Sequence, residues 1–171
     1  MDVCNGVQVD PTGELIVCSK MEKGEAVATL TREIQSGKET VFAIPLRYPR
    51  WSADGKWILG TSQSASKVRG WVGEISICSV ETGTSRQLTR NAKCPRWSAD
   101  GSRVFFLRSG KAQYEEELWS ISVTGEDEKQ IAKLQMHEIS SYYDVSSKGE
   151  IVYVRFNPGK HELWLLDFHN P

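Results

Sequence analysis

The chain has 171 residues, 39% of them hydrophobic and 25% charged, with a formal net charge of −1. Such a composition supports a folded core and is too apolar for a disordered chain. It lacks the field of a nucleic-acid or anionic-membrane binder, and no apolar run reaches the roughly 20 residues of a membrane-spanning helix.

The first residues, Met-Asp-Val-Cys-Asn-Gly, carry no basic segment followed by an apolar one, so no signal peptide is expected in this chain. The compartment, cytoplasmic or periplasmic, is left to the parent protein. A turn signal follows at Val9-Asp10-Pro11-Thr12-Gly13, then the apolar run Leu15-Ile16-Val17-Cys18 and a second turn at Ser36-Gly37-Lys38. Pro-Arg-Trp-Ser-Ala-Asp-Gly occupies Pro49 to Gly55 and feeds Trp57-Ile58-Leu59. After a variable loop, Ile75 to Val80 alternates with period two, turns at Glu81-Thr82-Gly83, and returns through Ser85 to Thr89. The same seven-residue phrase comes back from Pro95 to Gly101, followed by Val104 to Leu107, the alternating Leu118 to Val123, a turn at Thr124-Gly125-Glu126, and Glu128 to Ile131. A last copy, Val145-Ser146-Ser147-Lys148-Gly149, leads into Ile151 to Val154 and then Leu163 to Leu166.

The turn glycines Gly13, Gly55, Gly101 and Gly149 are spaced by 42, 46 and 48 residues, near the roughly 40–50 residues of a propeller blade. Each unit runs strand, glycine turn, apolar strand, loop, alternating strand, turn, closing strand. No segment carries a helical apolar stripe over three turns. The pattern predicts an all-β chain: a β-propeller of about four four-stranded antiparallel blades, approximately 1–47, 48–92, 93–136 and 137–171, with the last blade incomplete. A β-sandwich is the competitor, but its strands would not return as near-identical phrases at one period.

Pro-Arg-Trp-Ser-Ala-Asp-Gly-Lys-Trp-Ile, with Gly73-Glu74-Ile75-Ser76-Ile77 and the closing Arg86-Gln87-Leu88-Thr89, resembles a blade of the TolB-like propeller family. The family's usual phrase has Ser-Pro-Asp-Gly; Ala53 and Ala99 stand in place of the proline, and in the outer units Asp10-Pro11-Thr12-Gly13 and Lys148 depart further. The resemblance implies a larger propeller of which this chain is a C-terminal part. The open edge would then be covered by the rest of the propeller, by a partner protein or by self-association. Similar blades occur in periplasmic TolB, in bacterial sensor proteins and in prolyl-oligopeptidase-type peptidases, so the motif implies fold rather than function.

No nucleophile elbow, phosphate loop or zinc motif is present, and no cofactor or metal is expected. His137, His161 and His169 read as surface residues. Glu115-Glu116-Glu117 reads as a solvated hairpin tip, with a calcium site as the alternative. Asp54 and Asp100 read as turn residues. Trp51, Trp97, Trp119 and Trp164 read as packing between blades. Cys18 and Cys78, inside apolar runs, read as buried thiols, with a Cys4–Cys18 bridge between neighbouring strands as the alternative.

Five residues are left as binding candidates. Gln8, Arg50, Arg96 and Asp144 occupy one position of the repeat, five residues before each turn glycine. If the following residue turns into the blade, alternation turns these four toward the central channel, where two guanidiniums favour a carboxylate, a phosphate or an acidic partner segment. The structural alternative has each side chain tied to the neighbouring blade. Trp71, in the loop Val68-Arg69-Gly70-Trp71, is the candidate for surface recognition. The functional expectation is a non-enzymatic propeller segment for protein or small-ligand binding; the alternative is the non-catalytic propeller of a hydrolase.

Overall fold

The computed structural model describes residues 3–62, 72–112, 115–135, 143–157 and 160–166, and every element among them is a strand or a turn. The chain divides after Pro95 into two compact units.

The first unit opens with a four-stranded antiparallel meander, β1 (Val3–Val9), β2 (Leu15–Glu22), β3 (Glu25–Glu33) and β4 (Glu39–Phe42). A second group follows: β5 (Leu46–Trp51), β6 (Trp57–Ser62), β7 (Gly73–Ser79) and β8 (Ser85–Trp97). Between them lies a core of Val17, Phe42, Leu46, Trp51, Ile58 and Cys78, with Leu15, Ile44 and Val80 against its rim. The continuous apolar runs sit in the inner strands because both of their faces are covered. Gly60, in the middle of β6, is a packing requirement: a Cβ there would lie 2.7 Å from the Leu46 Cβ. A disulfide joins Cys4 in β1 to Cys18 in β2, so the bridge replaces the buried thiol expected at Cys18. It forms because the β1–β2 pairing brings two inner-strand residues within bonding reach, a proximity that sequence spacing does not reveal. Cys78 remains a buried thiol and Cys94 a half-buried one.

The division between units falls inside β8. Its first part pairs with β7, from Cys78↔Ser85 to Gly73↔Ala92. Its last residues, Arg96 and Trp97, belong to the second unit, where the order continues through β9 (Arg103–Ser109), β10 (Glu115–Ser122) and β11 (Lys129–Gln135). The second unit ends in a three-stranded antiparallel sheet, β12 (Tyr143–Val145), β13 (Ile151–Asn157) and β14 (Lys160–Leu166). Val104, Phe106, Leu107, Leu118 and Ile151 are fully buried in this unit.

The repeated phrase folds the same way in the first three copies. Gly55 N–H donates to Ser52 O and Ser52 N–H to Trp57 O; Gly101, Ser98 and Arg103 repeat the pair, as do Gly13, Asp10 and Leu15, while the fourth copy keeps the Gly149-to-Ser146 bond and closes one residue earlier, with Ser146 N–H donating to Glu150 O. All four turn glycines have φ between 70° and 84°, where a side chain would be strained. A second feature recurs seven residues before three of these glycines: Gly6, Tyr48 and Cys94 have φ of 68°, 49° and 54°. In β1 and β5 this residue falls inside a break in register, between Asn5 and Gln8 and between Arg47 and Arg50. Each is a β-bulge that bends an inner strand.

Candidate functional site

The four repeat-equivalent positions are best built from the bulge upward. The bulge resets alternation in the inner strand, so the two residues after it are re-aimed. In the first unit this places Gln8 beside Trp51: the Trp51 N–H donates to the Gln8 Oε1 at 2.8 Å, and the indole Nε1 donates to the Gln8 carbonyl at 3.3 Å. Gln8 is therefore held by β5, and Trp51 is only 5% exposed. Arg50, next to Trp51, is half-buried.

In the second unit Arg96 and Asp144 meet. The Arg96 Nε lies 3.3 Å from the Asp144 Oδ1, and its guanidinium sits 5.4 Å from the centre of the Tyr143 ring. Arg96 is largely covered, whereas Asp144 is 74% exposed, so the ion pair itself contributes well under about 1 kcal/mol. Its larger effect is to hold the Arg96 guanidinium over Tyr143, which is 3% exposed. Gln8 and Arg96 thus each reach forward to the next copy of the repeat. Trp71, like His137 and His169, lies outside the described residues.

The turn residues form a polar system that recurs with the repeat. In the second copy Ser52 Oγ donates to Asp54 Oδ1 at 2.6 Å and accepts from Trp57 N–H; in the third, Ser98 Oγ donates to Asp100 Oδ1 at 2.7 Å and accepts from Arg103 N–H. In the first copy the acid and the hydroxyl exchange places. Asp10 stands at the serine position and Thr12 at the aspartate position, and Thr12 Oγ1 donates to Asp10 Oδ2. Asp10 Oδ1 also accepts the N–H groups of Glu14 and Leu15. Burial opposes ionisation of Asp10, but the bonds from Thr12, Leu15 and Glu14 outweigh it and hold its carboxyl below the usual range. Asp54 is lowered chiefly by the Ser52 hydroxyl, and Asp100 chiefly by that of Ser98. The serine of the phrase was not singled out from the sequence, although its recurrence at every copy but the first was the available signal.

Two other readings change. Glu115-Glu116-Glu117 is the start of β10, so its side chains alternate. Glu116 is 2% exposed, while Glu115 meets Lys133 at 3.2 Å. Among the described tryptophans only Trp51 is a core residue. Trp119 lies under Arg108, 4.7 Å from ring centre to guanidinium, and gives its indole N–H to Glu117. Trp164 repeats this with Arg155 at 4.4 Å and Glu162. In both cases the Arg and Glu are cross-strand partners, so Glu-Leu-Trp encodes a cation–π clasp on the sheet surface. Among the described residues no three His, Cys, Asp or Glu are grouped to hold a metal.

No protein-family model and no curated protein sequence matches the chain significantly. Solved structures do. TolB from Acinetobacter baumannii aligns with 97% of this chain at a TM-score of 0.72 and 18% identity, and a putative TolB from Agrobacterium tumefaciens with 96% at 0.73 and 22%. The β-propeller domain of the Trilobed protease from Pyrococcus furiosus, described as having an open velcro topology, aligns with 99% at 0.68 and 16%. The fold is that of a TolB-like β-propeller. The chain spans 41%, 62% and 55% of the lengths of these three structures.

Proposed function

We propose that the chain is a non-catalytic β-propeller segment that works as a binding scaffold, its last strand covered by a further antiparallel strand. The supporting observation is the contrast between β10 and β14. In β10, Leu118 is fully buried and Ile121 is 2% exposed; in β14, Leu163 is 76% and Leu165 57% exposed, and among the described residues β14 pairs only with β13. An apolar edge of this kind pairs readily with another chain. The similar structures are longer than this chain, which fits further blades as the natural cover.

In isolation such a chain self-associates. Light scattering at tens of micromolar is expected to report a species heavier than the 19.2 kDa monomer, and Leu163→Asp with Leu165→Asp to restore the monomer. A strictly monomeric parent chain would overturn the reading. Arg50 in the first unit and Arg96 in the second are each offered to an acidic partner segment; a fluorescent hexaglutamate peptide is the probe. Binding unchanged by Arg50→Ala with Arg96→Ala, in a folded protein, removes these two from the interface.

A second reading, the propeller of a peptidase, draws support from the likeness to the Trilobed protease domain. A domain with a nucleophile elbow beside these blades in the same gene would favour it; a sensor or export element would exclude it.

A further inference from the structure

The copies of the repeat differ at two positions that the turn does not require. Two residues after the turn glycine, the first, second and fourth copies carry Leu15, Trp57 and Ile151, but the third carries Arg103. Immediately before the glycine, the second and third carry Asp54 and Asp100, but the fourth carries Lys148. Both departures line one cavity of about 400 Å³ in the second unit, together with Lys129, Ser120, Ser98 and Phe105.

The chemistry of the lining is cationic. Arg103 is held in place by Ser120 Oγ, to which its Nε and Nη2 donate at 3.2 and 3.1 Å, and by the Asp127 carbonyl at 2.7 Å. None of these partners is a carboxylate, so its charge is oriented but not neutralised. Lys129 is the cross-strand neighbour of Ser120, and both it and Lys148 are exposed. Neither lysine has an ion-pair partner among the described residues. The one carboxylate on the wall, Asp100, accepts bonds from Ser98 and Ser102. Three cations therefore face one committed anion.

A second observation points inward. Ser120 is 1% exposed, yet its hydroxyl oxygen only accepts, from Arg103, and among the described residues its own proton has no acceptor. A buried hydroxyl lining a cavity with its donor unused suits a ligand oxygen. Phe105, 5% exposed, supplies an apolar wall.

We propose that this cavity binds a phosphate group, as free phosphate or as a small phosphomonoester. A phosphate oxygen takes the Ser120 proton while Lys129, Lys148 and Arg103 neutralise the others. Three cationic side chains and a hydroxyl exceed what the two oxygens of a lone carboxylate accept. The site lies away from β14, so its failure leaves the scaffold reading intact.

Amide chemical shifts of the isotope-labelled chain, titrated at constant ionic strength with inorganic phosphate, phenyl phosphate and acetate, test this. Phosphate is expected to move the Gly149, Ser102 and Ser120 amides saturably. A several-fold tighter response to phenyl phosphate would identify a monoester site using Phe105; an equal one would identify a free-phosphate site. Lys129→Gln with Lys148→Gln alters only exposed side chains and is expected to weaken binding at least tenfold with the rest of the spectrum unchanged. No saturable shift, an equal response to acetate, or undiminished binding by the folded double variant each overturns the proposal.

Discussion

Asp10 is the residue at which the repeat's exception explains the rule. It replaces the serine of the other copies and brings a charge that four donors from Thr12, Glu14 and Leu15 satisfy. Because its folded carboxyl ionises at lower pH than in the unfolded chain, it binds fewer protons when folded. Its stabilisation is therefore complete above the unfolded value of about 3.9 and is lost as pH falls through the lower folded value. Asp10→Asn is expected to cost about 2 kcal/mol at neutral pH by removing charge-assisted bonds. It also flattens the acid limb: denaturant-midpoint curves of variant and parent should converge as the pH falls below about 4. A constant gap across that range would show that the charge is not what the turn uses. Ser98→Ala is expected to cost about 1 kcal/mol, as it strips Asp100 and the Arg103 amide of one partner. The Asp-Gly pairs were legible as turns from residue type alone. The exchange of Asp10 and Thr12 was not, because a hydroxyl and a carboxylate trading places looks like divergence until their hydrogen bond is seen.

At the scale of the element, the strands were readable and their bends were not. Apolar runs such as Val104 to Leu107 and alternating runs such as Ile75 to Val80 carry their own period, which burial enforces. The positive-φ positions Gly6, Tyr48 and Cys94 share no chemistry, so no residue signal announces them. They share only a backbone conformation. Tyr48 pays for that conformation, since L-residues resist positive φ by about 1–2 kcal/mol, and it packs little, being 51% exposed. Tyr48→Val, which adds β-branching, is expected to destabilise by about 1–2 kcal/mol, while Tyr48→Gly is near neutral or stabilising. Urea midpoints of the two variants separate these outcomes; equal losses in both would mean that the ring, not the backbone, matters here. The bulge in β1 re-aims Gln8, and the bonds from Trp51 to Gln8 and the contact of Arg96 with Tyr143 follow the structural alternative in which these side chains are tied to the next copy of the repeat.

For the molecule as a whole, a chain of similar units is held together by neighbour contacts, so local stability varies along it. The repeat period made this architecture legible, and the departures from the repeat, Arg103 and Lys148, carry the individuality. In the second unit β9 has Val104, Phe106 and Leu107 fully buried and a partner strand on each side. β14 has exposed Leu163 and Leu165 and one partner among the described residues. Opening β14 therefore exposes little new apolar surface, whereas opening β9 dismantles the unit's core. Native-state hydrogen exchange is expected to rank the β9 amides with global unfolding and those of β14 orders of magnitude faster. The gap should shrink when association is promoted by raising concentration, because a strand added to β14 both pairs its backbone and covers its leucines. Equal protection of β9 and β14 in a dilute monomer would mean that β14 is already fully supported, and the edge would then offer no free energy for binding another strand.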